Sequence, residues 1–274
     1  MDLLLLLKAA IMGIVEGITE FLPISSTGHL ILASELMSFW SKEKSDVFVI
    51  AIQMGAIAAV IYEYWARLWG AATGIISGEP QGRRLGIGLI LASIPIVLVG
   101  LTFGQTVKEL LFNNIAIAIG LIVGGLIIIW IEKNPPVVRA QEVEDLSIKD
   151  AIWIGLIQVL SLIPGTSRSG ATIIGAMCLG VSRKAATEFS FFLGIPVIVG
   201  AGLLDLYQSY HVFEGSADWT VIGVGILVSF VSALLLIRAL VAYVAKRDFV
   251  VFAWYRIISG LAILLFAWTG WTLW

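Results

Sequence analysis

Apolar runs of about twenty residues recur along this chain, and a run of that length crosses the roughly 30 Å hydrocarbon core of a bilayer as an α-helix. The chain is 59% apolar and only 13% charged, against about 45–50% and about 25% in an average soluble domain. It therefore reads as an all-α polytopic membrane protein, one membrane domain over residues 1–274. Membrane lipids surround such a chain, and no nucleic acid is expected as a partner. The net charge of −2 decides little, because the distribution of charge matters more than its sum.

The apolar pattern breaks twice. The first break is EGITEFLPISSTGH, Glu16 to His29, and the second is QVLSLIPGTSRSGAT, Gln158 to Thr172. Both carry charged or hydroxyl side chains at membrane depth, where ionisable groups are expensive and functional by default. The first segment runs from about Leu3 to Leu22 and stops at Pro23; a short helix follows from about Ser26 to Met37. MDLLLLLKAA imitates a signal peptide, but Asp2 stands where a basic residue belongs and no small-residue cleavage site follows. It is expected to stay as the first half of a helix.

Spans are expected at about 47–65, 85–104 and 114–131, with a polar turn holding Arg67, Gly78, Pro80, Arg83 and Arg84 between the first two. Residues 132–148 include Pro135 and Pro136, which cannot continue a helix; they read as an unstructured linker. The pattern then restarts. Asp150 to Ile163 ends at Pro164, a short helix runs to about Leu179, and spans follow at about 186–206, 220–242 and 250–272.

A fixed offset carries Gly13 onto Gly155, Glu16 onto Gln158, Asp46 onto Glu188 and Glu63 onto Asp205, and Pro23 onto Pro164 with a slip of one. Repeat one is then 1–131, the linker 132–148 and repeat two 149–274, each repeat a re-entrant helix hairpin plus three transmembrane helices. Three is odd, so the second copy stands upside down, and the two breaks approach from opposite faces. Inverted repeats with broken helices meeting at the midplane are a known membrane architecture.

Lys and Arg residues collect on the cytoplasmic side of membranes. Arg67, Arg83, Arg84, Lys133, Arg139, Lys149, Arg183, Lys184, Lys246 and Arg247 fall on one side; Lys42, Lys44 and Lys108, with Lys8, fall on the other. The first side is cytoplasmic by this rule, and the first hairpin dips in from outside. Trp40, Trp65, Trp69, Trp130, Trp219, Trp271 and Trp274 fall near span ends, where aromatic belts form.

Glu16 and Glu20 are four apart and share a helix face. Two carboxylates in low dielectric repel. A divalent cation such as Mg²⁺ or Ca²⁺, held through oxygen and shared with phosphate, resolves the conflict; a protonated pair or a proton relay is the alternative. Ser25, Ser26, Thr27 and Gly28 begin the next half-helix, whose free N–H groups suit an anion, though simple capping by Ser25 or Ser26 would use the same residues. His29 lies three residues beyond Ser26 on the same face and could activate its hydroxyl or protonate a leaving group. In the second break Thr166, Ser167, Ser169, Gly170 and Thr172 surround Arg168, whose fork of donors matches phosphate. Arg168 could also serve as counter-ion to Glu16 or Glu20. Gln53 and Gln158 are candidates for interhelical hydrogen bonds. Arg238 and Arg256 are expected to snorkel, Glu63 and Asp205 to be solvated at the interface, and Cys178 to be a small core residue. These features together suit an enzyme acting on a lipid phosphate, or a transporter of one.

EGITEFLPISSTGH at 16–29 and PGTSRSGAT at 164–172 closely resemble the two signature motifs of the bacterial undecaprenyl-diphosphatase family, once called bacitracin-resistance proteins. IQMG at 52–55, SRKAATEFSF at 182–191 and the overall length are similar too. The resemblance implies hydrolysis of undecaprenyl diphosphate to undecaprenyl phosphate and inorganic phosphate in the bacterial plasma (inner) membrane. That reaction recycles the lipid carrier for peptidoglycan synthesis and confers bacitracin resistance. The resemblance also implies a site open to the outer, periplasmic side. By position, Glu16 and Glu20 are the metal and catalytic acids, Ser25 and Ser26 the serine pair with Ser26 the nucleophile candidate, His29 the histidine and Arg168 the phosphate-binding arginine. Attack by Ser26 and attack by water both remain open, as does a flippase of a polyprenyl phosphate lipid. A homodimer is compatible with such a chain.

Overall fold

A computed structural model describes residues 2–111, 113–213 and 215–268. Its elements are α1 (Leu3–Thr19), α2 (Ser26–Met37), α3 (Lys42–Glu63), α4 (Trp65–Ser77), α5 (Pro80–Leu111), α6 (Asn114–Lys133), α7 (Ile148–Gln158), α8 (Arg168–Cys178), α9 (Arg183–Ser209), α10 (Ser216–Val244) and α11 (Val250–Trp268). Six of them, α3, α5, α6, α9, α10 and α11, are long and apolar enough to cross a membrane. With lipid as solvent the exposed aliphatic side chains along these helices need no further cover. The chain is a multi-pass membrane protein.

α3, α5, α6, α9 and α10 are longer than the apolar runs read from the sequence, because polar residues at their ends continue the helix. α3 starts at Lys42, not near 47, and α9 at Arg183, not near 186. The stretch expected as a polar turn after α3 is instead the helix α4, ending at Gly78 with φ 78°. Asp2 caps α1, accepting from Leu4 N at 2.9 Å, which accounts for an acid at that position. The side chain of Lys108, and Trp271 and Trp274 with the end of the expected last span, lie outside the described residues.

α1, α2, α7 and α8 are not among the candidate spans, and each pair is interrupted at the expected proline: 20–25 separates α1 from α2, and a 3-10 turn Val159–Leu162 followed by 163–167 separates α7 from α8. Packing follows matched pairs. α1 lies on α10 as α7 lies on α5; α10 packs on α3 as α5 packs on α9; α3 meets α9, and α6 meets α11. Glycine sets the closest approaches. A Cβ at Gly13 would stand 2.6 Å from Gly225 O, and one at its counterpart Gly155 would stand 2.3 Å from Ala92 O. Small residues are what let membrane helices approach this closely.

The linker is bound down rather than loose. Arg67 pairs with Glu144 at 2.7 Å and with Glu188 at 2.8 Å. Arg139 pairs with Asp150, Lys184 with Glu142 at 3.0 Å, and Ala140 bridges to Val181. Asp145 accepts from the backbone of Gln141 and Glu142, and those amides hold its carboxyl below the ordinary carboxylate range. Cys178 ends α8 exposed, not in the core, although Gly175, Ala176 and Met177 just before it are buried.

Candidate functional site

The two breaks meet. Ser26, the first residue of α2, donates from Oγ to Glu20 Oε2 at 2.7 Å. Arg168, the first residue of α8, donates from Nη2 to Glu20 Oε1 at 3.1 Å. The repeat offset maps Ser26 onto Arg168, so equivalent positions of the two halves hold the two oxygens of one carboxylate. Ser169 Oγ crosses to the Leu22 carbonyl at 2.8 Å. Behind it, Ser167 Oγ lies 3.1 Å from Ser169 Oγ and accepts from Gly170 N at 3.1 Å. Thr172 Oγ1 lies 2.7 Å from Ser190 Oγ, and Arg168 Nη1 donates to the Ser190 carbonyl at 3.0 Å.

Backbone strain marks both breaks at the same place. Ser25 has φ 73° and Ser167 φ 71°, a left-handed conformation costing about 1–2 kcal/mol for a non-glycine residue and concentrated at functional sites. The two serines then differ. Ser167 caps α8 with its hydroxyl, whereas Ser25 makes no side-chain cap, so the first amides of α2 stay available for an anion. Thr27 is exposed and Thr166 half-buried, and neither joins the cluster on Glu20.

Glu16 lies one turn before Glu20, fully buried, and neither carboxylate oxygen has a hydrogen-bond partner in the structure. Its repeat counterpart Gln158 is also fully buried with both amide atoms unpartnered, so the interhelical bond expected of Gln158 is not made. Among the described residues no group of three or more His, Cys, Asp and Glu stands together. The carboxylate pair still fits a hard divalent cation, since such ions take oxygen ligands and leave several positions to phosphate and water.

The histidine falls on the other side of Ser25. His29 Nδ1 lies 2.8 Å from the Ser25 carbonyl, and Nε2 lies 2.5 Å from the Tyr255 hydroxyl. The group at the hydroxyl of Ser26 is Glu20, not His29. A cavity of about 660 Å³ opens from this point between α2 and α11. Ser25, Gly28, His29 and Tyr255 line it with the apolar Leu32, Leu36, Ile263 and Phe266.

Two contributors escaped sequence reasoning. Tyr255 was not singled out in the sequence. Arg256, expected to snorkel, is only 1% exposed. Its Nη1 donates to the Pro23 carbonyl at 2.9 Å, its Nη2 to Gly165 at 3.0 Å and Gly120 at 2.9 Å, and its Nε to Leu121 at 3.2 Å. It thus pins both breaks to α6. Its position two turns into an apolar helix, opposite a partner with Gly120, Gly124 and Gly125, was the available signal. Arg238 is exposed and paired with Glu63 at 2.7 Å.

The profile of the bacitracin resistance protein BacA family matches residues 9–262. Undecaprenyl-diphosphatase 1 of Acinetobacter baylyi is 84% identical over 274 residues, with 100% of both chains covered. The undecaprenyl-diphosphatase of Psychrobacter sp. strain PRwf-1 is 62% identical, covering 98% of this chain and 97% of its own. Undecaprenyl-diphosphatase 2 of Rhodospirillum rubrum is 52% identical, covering 100% of this chain and 99% of its own.

Proposed function

This chain belongs to the bacitracin resistance protein BacA family, and from that premise we propose that it hydrolyses undecaprenyl diphosphate to undecaprenyl phosphate and inorganic phosphate. The reaction recycles the lipid carrier for peptidoglycan synthesis, and it withdraws the diphosphate that bacitracin targets. The observation that carries the reading at this site is the clamp on Glu20, with a serine hydroxyl on one oxygen and an arginine fork on the other.

The terminal phosphate enters the space bounded by Ser26, Arg168 and the open amides of α2. Arg168, whose Nε has no partner, turns donors to its oxygens. Ser26 Oγ attacks the terminal phosphorus while Glu20 takes its proton over the 2.7 Å bond. The bond from phosphorus to the bridging oxygen breaks, and its electron pair leaves with the lipid phosphate. Water then attacks the phosphorus of the phosphoserine and keeps its protons on the inorganic phosphate released; the bond from phosphorus to Ser26 Oγ breaks, and Glu20 returns its proton to that oxygen over the same 2.7 Å contact. Glu16 and Glu20 are the residues that would hold Mg²⁺ or Ca²⁺. Such an ion, when bound, neutralises charge on the phosphate oxygens.

The prenyl chain occupies the apolar part of the cavity, among Leu32, Leu36, Ile263 and Phe266. The two halves are read as inverted repeats, each a re-entrant hairpin with three spans. The matched packing pairs support that reading, and so do the matched strained serines. With the basic ends cytoplasmic in the inner membrane, the cavity, flanked by Leu36 and Phe266 near the outer ends of α2 and α11, opens on the periplasmic side.

The test is inorganic phosphate release from a long-chain prenyl diphosphate by detergent-purified protein, with and without EDTA, beside Ser26→Ala. Metal-dependent release lost in the variant is expected. Release that survives Ser26→Ala at near-normal rate moves the attack to water, and no release under any divalent cation returns the flippase reading.

A further inference from the structure

The route just proposed uses Ser26, Glu20 and Arg168 and leaves His29 and Tyr255 without a part. Their geometry is specific. The carbonyl of Ser25 only accepts, so His29 Nδ1, 2.8 Å away, carries a proton. In a neutral imidazole Nε2 is then an acceptor, and it takes the Tyr255 hydroxyl at 2.5 Å. The rings stack as well, with centroids 5.6 Å apart and planes 13° apart. The Ser25 carbonyl thus fixes the tautomer of His29, and Tyr255 of α11 holds the ring from its other edge.

The Ser25 carbonyl belongs to the residue held at φ 73°, and Ser25 has no cap bond of its own side chain to stabilise that turn. In the second break Ser167 takes the same conformation but holds it with its hydroxyl on Gly170 N. Strained residues of this kind persist where the surroundings over-determine them. Here the over-determining contact is the bond from His29. The direction of Ser26 Oγ toward Glu20 depends on that turn.

We propose that Tyr255 is a positioning residue: through His29 it braces the left-handed turn at Ser25 and so aims the Ser26 hydroxyl. The inference rests on the reading that Ser26 acts on phosphate. His29 in this arrangement is a strut donating from Nδ1, not the proton acceptor for Ser26. The two halves then achieve one backbone shape by two devices, a local cap in α8 and a tertiary brace in α2. The tertiary brace leaves the amides of α2 open for an anion.

Imidazole Nδ1–H is imitated by the amide of asparagine, and Nε2 by that of glutamine, which separates a strut from an acid or base. Phosphate release from a long-chain prenyl diphosphate is measured for wild type, Tyr255→Phe, His29→Asn, His29→Gln and Tyr255→Phe/His29→Asn, with thermal stability in detergent alongside. Tyr255→Phe keeps the ring stack and loses one hydrogen bond, so kcat is expected to fall roughly tenfold, with KM changed less than about twofold and Tm unmoved. His29→Asn is expected to keep at least about ten times the turnover of His29→Gln. Adding Tyr255→Phe to His29→Asn is expected to change nothing, because the link is already cut. Equal losses in His29→Asn and His29→Gln, or a Tyr255→Phe enzyme as fast as wild type, overturn the brace while leaving the phosphatase standing. A wild-type protein that releases no phosphate overturns the phosphatase reading and the brace with it. Were Tyr255→Phe to aggregate, the contrast between the two His29 variants decides alone.

Discussion

Glu20 is the residue on which both halves of the chain converge, and substitutions around it separate charge from shape. Arg168→Ala removes the partner of Glu20 and the proposed donors for phosphate, and turnover is expected to fall by about 10²–10³-fold, the scale of lost electrostatic stabilisation. Arg168→Lys keeps the charge without the planar fork and is expected to recover only part of it. Glu20→Gln removes the proposed proton acceptor for Ser26, with an expected loss of about 10²–10⁴-fold in kcat. Phosphate release from purified, folded variants checks all three. Glu16 behaves differently, because both its oxygens are buried without partners. A divalent cation bound there raises stability by mass action, so adding Mg²⁺ or Ca²⁺ is expected to raise the Tm of the wild type and leave that of Glu16→Gln unchanged. A thermal scan with and without the ion reads this independently of turnover.

At the scale of elements, the breaks matter more than the spans. Each break leaves backbone carbonyls without helical partners, and at the membrane depth proposed for them such groups are tolerable only where protein covers and pairs them. Arg256 does this for Pro23 and Gly165 together; its other acceptors, Gly120 and Leu121, lie inside α6. Arg256→Met strands two carbonyls at about 1–3 kcal/mol each but also removes a buried cation worth about 2.5–3.5 kcal/mol of insertion cost. The terms nearly cancel, so the Tm is expected to move by only a few degrees. Turnover is expected to fall by about 100-fold, because a shift of about 1 Å between the breaks misplaces the reacting groups. Parallel Tm and kcat measurements on this variant test the separation.

For the whole molecule, the proposed three spans per half would put the start of α3 and the end of α6 on opposite sides of the membrane. Lys42 at the start of α3 and Lys133 at the end of α6 are both exposed, with α3, α5 and α6 between them. On a Cys178→Ser background, Lys42→Cys is expected to react with a membrane-impermeant maleimide in intact spheroplasts. Lys133→Cys is expected to react only after permeabilisation. Labelling of both from one side would break the three-span count and with it the inverted arrangement.

The sequence alone determined the class of fold, because apolar run length and bilayer thickness leave little choice, and it located both breaks, because proline and clustered hydroxyls stand out against hydrocarbon. Glu16, Glu20, Ser26 and Arg168 were legible for the same reason: ionisable and reactive groups at membrane depth are rare. What tertiary structure decided was which of these groups touch. The serine faces Glu20 and not His29, a distinction that i, i+3 spacing on a helix cannot make when the neighbouring residue is left-handed. Arg256 was expected to snorkel and Tyr255 was not singled out, since helical periodicity carries no information about which distant carbonyl or ring a side chain will meet. α4 and the tethered linker escaped as well, because their order comes from ion pairs between residues far apart in the chain, such as Arg67 with Glu144 and Glu188.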